Sequence, residues 1–173
     1  MRRSEGNKGI ALIECINPYI GKYRIRWDIK PIESEYSDNI VSFYETEIIQ
    51  KYKPRLMDIK DAILGAINAD VDEKIISGFT WKGMAIWLSS ENQFNYKAAY
   101  DLTLQSEGKT LPVLFKFGTT EEPIYYSFET IEELSDFYIK AMKYISDTLA
   151  EGWKEKDSID WNLYEEELKQ MKK

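Results

Sequence analysis

Apolar and polar residues alternate along much of the first fifty positions, and this spacing is typical of β-strands. The clearest alternation covers residues 22–29, where large apolar side chains fall on one face and charged side chains on the other: Tyr23, Ile25, Trp27 and Ile29 opposite Arg24, Arg26 and Asp28. Residues 9–16 and 40–49 are also rich in strand-forming residues. The pattern predicts a small antiparallel sheet with one face in the core and one face in solvent.

Further along the chain, apolar residues recur every three or four positions, which is typical of amphipathic helices. This spacing predicts three helices, over residues 55–69, 130–149 and 161–173, the last with a weak apolar face. Thr130 and Glu133 form a capping box at the start of the second of these helices. Gly152 is expected to end that helix, because glycine is common at helix C-termini.

The central part of the chain, residues 75–105, predicts a hairpin that leads into a helix. Lys82 and Gly83 supply the turn of the hairpin. Ser90 and Gln93 form a capping box at the start of the helix that follows.

Two more strand-forming runs, at residues 111–117 and 124–128, predict a second hairpin that extends the sheet begun by residues 79–88. The complete pattern indicates an α+β fold, with small antiparallel sheets and two or three amphipathic helices packed on one face. Breaks in the pattern divide the chain into three parts: an N-terminal antiparallel β module (1–53), an α+β domain with the order helix, hairpin, helix, hairpin, long helix (54–160), and a short C-terminal helix or tail (161–173).

Composition removes several classes of function. The 173 residues include no histidine, which excludes Ser-His-Asp and Cys-His catalysis and histidine-ligated zinc. The net charge of -7 argues against nucleic-acid binding, and no apolar run approaches the ~18 residues that span a bilayer. Glu73 stands where a calcium loop starting at Asn68 requires glycine, so residues 68–72 favour a polar helix end. We expect no cofactor, no metal, no nucleic-acid partner and no membrane partner.

The single cysteine, Cys15, lies in the apolar run 9–16, which follows two arginines and has the outline of a lipoprotein signal. Glu14 puts a charge where such a signal requires a small residue. We therefore expect Cys15 to pack in the core as part of a buried strand. Without a histidine partner, and buried in apolar surroundings, its thiol would be inert.

Paired carboxylates are the remaining route to catalysis, because glycoside hydrolysis needs two acidic groups that flank one sugar. The candidate pairs are Glu45 with Glu47, Glu121 with Glu122, and Glu132 with Glu133. The chain has 30 acidic residues, so such pairs arise freely and solvent-exposed faces are the favoured interpretation. A carboxylate-dependent glycosidase is one alternative, but the chain is expected not to be an enzyme.

A mixture of aromatic and amide side chains forms the candidate interaction surface: Trp81, Trp87, Asn92, Gln93, Asn95 and Tyr96. Flat rings stack on sugars or on partner proteins while amides satisfy hydroxyl and backbone groups, so these residues suit glycan or protein binding. The competing interpretation places both tryptophans in the core and uses the amides to cap and support the helix start. The sequence favours this second interpretation and leaves the first open.

Three stretches carry a resemblance to a known family: residues 76–83 (Ile-Ser-Gly-Phe-Thr-Trp-Lys-Gly), 88–95 (Leu-Ser-Ser-Glu-Asn-Gln-Phe-Asn) and 149–153 (Leu-Ala-Glu-Gly-Trp). Through them, the segment 75–160 resembles a domain of unknown function found in tail-fibre and tail-assembly proteins of bacteriophages and prophages.

The resemblance implies a structural or interaction protein without enzymatic activity, either a tail component or a tail-assembly factor. Its partners would be other tail proteins or further copies of itself. It would pass from the bacterial cytoplasm during assembly into a phage-like particle. The alternative is a carbohydrate-binding module that uses exposed aromatic side chains on a cell-surface glycan.

Overall fold

The N-terminal part of the described chain forms a four-stranded antiparallel sheet. The computed structural model describes residues 3–32 and 39–171. The strands of this sheet are β1 (Ser4–Asn7), β2 (Ile13–Asn17), β3 (Lys22–Pro31) and β4 (Ile40–Ile49), in the spatial order β1-β4-β3-β2. Strand β4 coincides with its predicted run, and β2 and β3 overlap theirs but end one and two residues later. Strand β1 lies in a polar segment for which the sequence predicts no strand.

The predicted α+β class is confirmed. The helices are α1 (Leu56–Ser77), α2 (Ser90–Gln105), α3 (Ile131–Asp157) and α4 (Trp161–Gln170). The described part of the chain forms two compact units: residues up to Asp70 together with those from Trp153 onward, and Val71–Gly152. These units take residues from both sides of the predicted limits at 53 and 160, and those domain limits stay a prediction.

Strand β3 supplies part of the core of the first unit from alternate positions, as its pattern predicts. Ile25 and Trp27 are fully buried. Arg26, expected on the solvent face, is buried as well, and its guanidinium donates to the Ala11 carbonyl at 3.0 Å and to a Glu14 carboxylate oxygen at 2.6 Å. A buried charge is tolerated when it is paired in this way. The charged face of β3 is therefore only partly in solvent.

Cys15 is exposed, so the expectation that it packs in the core is wrong. Strand β2 is the last strand in the sheet order, and Ile13 is the only fully buried residue of β2. An edge strand has a neighbour on one side only, which leaves more of its length near solvent.

Helix α1 is longer than predicted, because it continues from the expected end at Ala69 to Ser77. Residues 68–72, expected to be a polar helix end, lie inside the helix. The helix continues because the apolar stripe keeps its four-residue spacing. The buried members of the stripe are Ile59, Ile63, Ile67, Val71 and Ile75.

Helix α4 packs at the free edge of β2 in the first unit. Glu167 accepts hydrogen bonds from the backbone N–H groups of Leu12 and Ile13, at 3.1 and 2.9 Å. Tyr164 is buried and its hydroxyl donates to the Arg26 carbonyl at 2.7 Å. Unpaired backbone groups are the usual weakness of an edge strand, and a single carboxylate here satisfies two of them.

The second unit contains two hairpins, formed by β5 (Phe79–Trp81) with β6 (Met84–Ile86) and by β7 (Val113–Gly118) with β8 (Pro123–Phe128). They are separate two-stranded sheets, so the expectation that both hairpins share one sheet is wrong for the described residues. In the first hairpin, Lys82 and Gly83 both have positive φ, 48° and 76°. These angles fit the type I′ turn, whose twist matches that of the flanking strands.

The starts of α2 and α3 both use hydroxyl caps. The N-cap of α2 is Ser89 and not the predicted Ser90, and the Ser89 hydroxyl accepts from the Asn92 N–H at 3.3 Å. At the start of α3, Thr130 Oγ1 accepts from the Glu133 N–H at 3.2 Å, as predicted. The sequence pattern thus locates both helix starts to within one residue.

Gly152 lies inside α3, so the expectation that it ends this helix is wrong. The glycine is buried next to Val71 of α1, and an added Cβ at position 152 would lie 2.5 Å from Val71 Cγ2. Gly152 is therefore needed for the close approach of a neighbouring side chain, and not for a helix cap.

Candidate functional site

The six residues of the candidate interaction surface do not share one surface. Two of the six are buried, two are half-buried and two are exposed, and Trp87 is the one aromatic ring among them that reaches solvent. Their states are: Trp81 and Tyr96 buried, Asn92 and Gln93 half-buried, Asn95 exposed, and Trp87 54% exposed.

Trp81 and Tyr96 belong to an aromatic cluster in the core of the second unit. The Trp81 ring packs against Phe128 and Phe137 with centroid distances of 5.3 and 5.4 Å, and its Nε1 donates to Asp136 at 3.0 Å. Tyr96 contacts Phe137 at 5.1 Å, and burial raises the pKa of Tyr96 to about 12. Neither ring is free to stack on a ligand, so the surface interpretation fails for both.

The amide side chains support the backbone before α2. Gln93 Nε2 donates to the Leu88 carbonyl at 2.7 Å, and Asn92 Nδ2 donates to the Trp87 carbonyl at 2.8 Å. These bonds match the supporting role that the competing interpretation gives them. They also hold the backbone of Trp87 in place while its indole ring is half-exposed.

An open groove of about 520 Å³ lies between Trp87 and the connection from β7 to β8. Trp87 and Asn92 line one part of it, and residues 116–121 line the rest. We call this feature the Trp87 groove. It brings together an aromatic ring, an amide, hydroxyl groups and both signs of charge.

The β7–β8 loop that lines the Trp87 groove has a defined backbone. Gly118 has a φ of 77°, and a Cβ there would lie 2.4 Å from the Glu122 carbonyl oxygen, so glycine is required. The Thr119 hydroxyl accepts from the Glu122 N–H at 3.0 Å, and the Thr119 N–H donates to the Glu122 carbonyl at 3.2 Å. These contacts brace the loop from within.

Three polar groups on this side of the groove are available to a ligand. Within residues 3–32 and 39–171, the side chains of Lys116, Thr120 and Glu121 have no hydrogen-bond or ion-pair partner. Sequence reasoning missed Lys116 and Thr120, and it considered Glu121 only as a member of a carboxylate pair. Nothing local in the sequence indicates that this loop lies near Trp87.

A second polar cluster, of Lys82, Tyr126 and Glu133, covers the Trp81 ring. Lys82 Nζ contacts the Glu133 carboxylate and lies 2.8 Å from the Tyr126 hydroxyl, which donates to Glu133 at 2.5 Å. Hydrogen bonds from Lys82 and Tyr126 lower the pKa of Glu133, and the hydrogen bond to Glu133 raises the pKa of Lys82. Both pKa values therefore move further from 7, whereas a general acid or base that works at neutral pH needs a pKa close to 7.

Three of the six carboxylates in the predicted pairs, Glu45, Glu47 and Glu133, are engaged in ion pairs. Glu45 and Glu47 face Arg24 across β3 and β4, with N–O distances of 3.5 and 2.8 Å. Glu133 is held by Lys82 as described above. The glycosidase alternative therefore gains no support from these residues.

A small pocket of about 260 Å³ in the first unit has Asp28 and Asp160 in its lining. Burial alone would raise the pKa of Asp28, but hydrogen bonds from Arg3 and Lys30 lower it below its usual value. Asp160 accepts from the Asn162 N–H at 3.0 Å as the N-cap of α4. Both carboxylates have structural partners, and a lowered pKa does not suit a general acid.

None of the helices in the described part of the chain is long and apolar enough to cross a membrane. Residues 3–32 and 39–171 also contain no group of three acidic or cysteine side chains placed to hold a metal ion. Comparison of the chain with protein-family models, with curated proteins and with solved structures yields no match. The resemblance to phage-tail domains stays a prediction based on the three stretches quoted above.

Proposed function

We propose that this chain is a non-enzymatic structural or interaction protein of a phage or prophage tail, acting as a tail component or a tail-assembly factor. It docks another tail protein, or a second copy of itself, through the outer face of the β7–β8 hairpin. This hairpin face consists of Leu114, Lys116, Tyr125 and Ser127, all of which are exposed.

The register of the hairpin supports this proposal. Leu114 pairs with Ser127 and Lys116 with Tyr125, so the four side chains lie on the same side of the ladder. The opposite side is anchored in the core through the buried rings of Phe117 and Phe128. One face of the hairpin is thus packed in the core, and the other face is exposed to solvent.

The chemistry of the hairpin face is that of a protein interface. Tyr125 is 65% exposed and Leu114 is similarly exposed. Tyrosine is enriched in interfaces because its ring buries a large apolar area while its hydroxyl keeps a polar partner. A small exposed cluster of this kind is the observation that carries the docking proposal.

The stretches behind the resemblance form scaffold elements. Residues 76–83 include the end of α1, strand β5 and the turn, and residues 88–95 include the Ser89 cap and the start of α2. The resemblance is the support for the proposed functional class, and the exposure of the hairpin face is the support for proposing it as the docking surface.

A pull-down of the products of adjacent tail genes by the tagged chain tests the docking proposal. Light scattering over a range of concentrations measures self-association in parallel. Leu114→Ser and Tyr125→Ser should weaken capture or self-association, while Tyr52→Ser, at a tyrosine 81% exposed in the first unit, serves as the matched control. A chain that stays monomeric and captures none of these products would overturn the proposal, as would equal losses from all three substitutions.

A further inference from the structure

The Trp87 ring is exposed on a backbone that is held from several sides. Trp87 follows β6 directly, and the next residue, Leu88, is fully buried. The Leu88 N–H donates to the Ile76 carbonyl at 2.8 Å, and the carbonyls of Trp87 and Leu88 accept from the amides of Asn92 and Gln93. A ring placed in this way can stack on a ligand without the cost of ordering the segment that carries it.

The other side of the Trp87 groove supplies hydrogen-bonding groups of opposite character. Lys116 offers an ammonium donor, Glu121 a carboxylate acceptor and Thr120 a hydroxyl that can do both. None of these three has a partner in the described part of the chain. The loop that carries Thr120 and Glu121 is braced by the Thr119–Glu122 bonds, so these groups are positioned before a ligand arrives.

We infer that the Trp87 groove binds a neutral glycan, with one pyranose ring stacked on Trp87 and its hydroxyls bonded to Lys116 and Glu121. The apolar face of a pyranose matches an indole, and each sugar hydroxyl both donates and accepts, as the mixed lining requires. The volume of about 520 Å³ falls within the range of small-ligand sites, roughly 300–1,000 Å³.

Charge favours a neutral sugar over an acidic one. The ammonium of Lys116 and the carboxylate of Glu121 carry opposite charges in the same groove, while the chain as a whole carries -7. A uronic or sialic acid would gain from Lys116 but would meet Glu121 and the negative field of the protein. Neutral hexoses and N-acetylhexosamines have no such penalty.

An array of neutral hexose and N-acetylhexosamine oligomers, with sialylated and uronic-acid oligomers as comparators, tests the inference on the full chain. Oligomers that bind are then titrated by calorimetry. Trp87→Ala should weaken binding by about tenfold or more, because loss of about 1.4 kcal/mol changes affinity tenfold, and Glu121→Gln should weaken it to a smaller degree. Trp153→Ala removes a tryptophan that is 58% exposed in the first unit and should leave affinity unchanged.

Three results would overturn the inference: no binding of any neutral oligomer, preference for the acidic comparators, or equal effects of Trp87→Ala and Trp153→Ala. Capture of a tail protein that depends on Trp87, with no glycan bound, would also overturn it and would assign the groove to protein docking. Lys116 belongs to both surfaces, but the variants keep the two tests distinguishable: Leu114 and Tyr125 belong to the hairpin face and do not line the groove, while Trp87 and Glu121 line the groove and are not part of the hairpin face. Circular dichroism of each variant confirms that it is folded.

Discussion

A methyl group added at Gly152 should destabilise the protein, although the same change at another helical glycine should stabilise it. Gly152 lies inside α3 and its Cβ would meet Val71 Cγ2 at 2.5 Å. Gly65 lies inside α1, and a Cβ there finds no neighbouring atom within 4 Å. The two Gly→Ala substitutions therefore make the same chemical change in a crowded and an open position.

The magnitude follows from two opposing contributions. Replacing a helical glycine by alanine stabilises a helix by up to about 1 kcal/mol, and this gain is common to both positions. Carbon atoms attract best at about 3.5–4.0 Å, so a 2.5 Å contact forces Val71 to move. Valine strongly prefers one rotamer in a helix, and overpacking of this kind costs about 1–3 kcal/mol. Gly152→Ala should thus be less stable than Gly65→Ala by about 1–3 kcal/mol.

Urea denaturation followed by circular dichroism at the helix band measures both free energies of unfolding. A third variant, Gly152→Ala with Val71→Ala, removes the clashing methyl group and leaves the Cβ of residue 71 at 3.7 Å, an ordinary contact. Together with Val71→Ala alone it completes a double-mutant cycle, in which the pair should couple favourably. If Gly152→Ala proves as stable as Gly65→Ala, or the cycle shows no coupling, the close approach of these residues is not present in solution.

Three further substitutions test contacts described above. Glu167→Gln leaves one oxygen for the two β2 amides and should speed their hydrogen exchange, with a loss of about 1–3 kcal/mol; unchanged exchange would contradict the docking of α4. Tyr164→Phe leaves the Arg26 carbonyl without its donor and should cost about 1–3 kcal/mol in urea unfolding. The hydrogen bond from Lys82 lowers the pKa of Glu133 in the folded protein. The contact between Lys82 and Glu133 therefore stabilises the fold fully above the pKa of Glu133 in the unfolded chain, and this stabilisation is lost as the pH falls below about 4. Glu133→Gln should flatten the dependence of the urea midpoint on pH in this acidic range.

The elements of the fold could largely be predicted, because they depend on local spacing. Period two in residues 22–29 and period three to four in residues 55–69 identify β3 and α1 directly. The predictions that were wrong concern residues whose environment depends on contacts with other segments of the chain. The glycine at 152 looks like a helix stop until the neighbouring Val71 is known, and Arg26 looks exposed until Glu14 is seen to pair with it.

The candidate site was predictable only in part. The favoured interpretation places both tryptophans in the core, and this is wrong for Trp87, whose ring is exposed and alternates with the buried Ile86 and Leu88 on either side of it. The same alternation puts Trp81 inward with Phe79. The contribution of Lys116 to the groove could not be predicted, because it depends on how a distant hairpin packs against the start of α2. Periodicity specifies which face a side chain occupies, but not which other segment faces it.

The bonds from Glu167 to the amides of Leu12 and Ile13 have a consequence for synthesis of the chain. The first unit needs residues from both ends of the sequence, whereas Val71–Gly152 is continuous. During synthesis on the ribosome, the continuous segment Val71–Gly152 can emerge and fold before Glu167 is available to bind the backbone amides at the edge of β2. Docking of α4 on the edge of β2 therefore follows the emergence of this segment, although the four strands themselves emerge before it. A chain cut short before α4 would carry an open strand edge that invites aggregation.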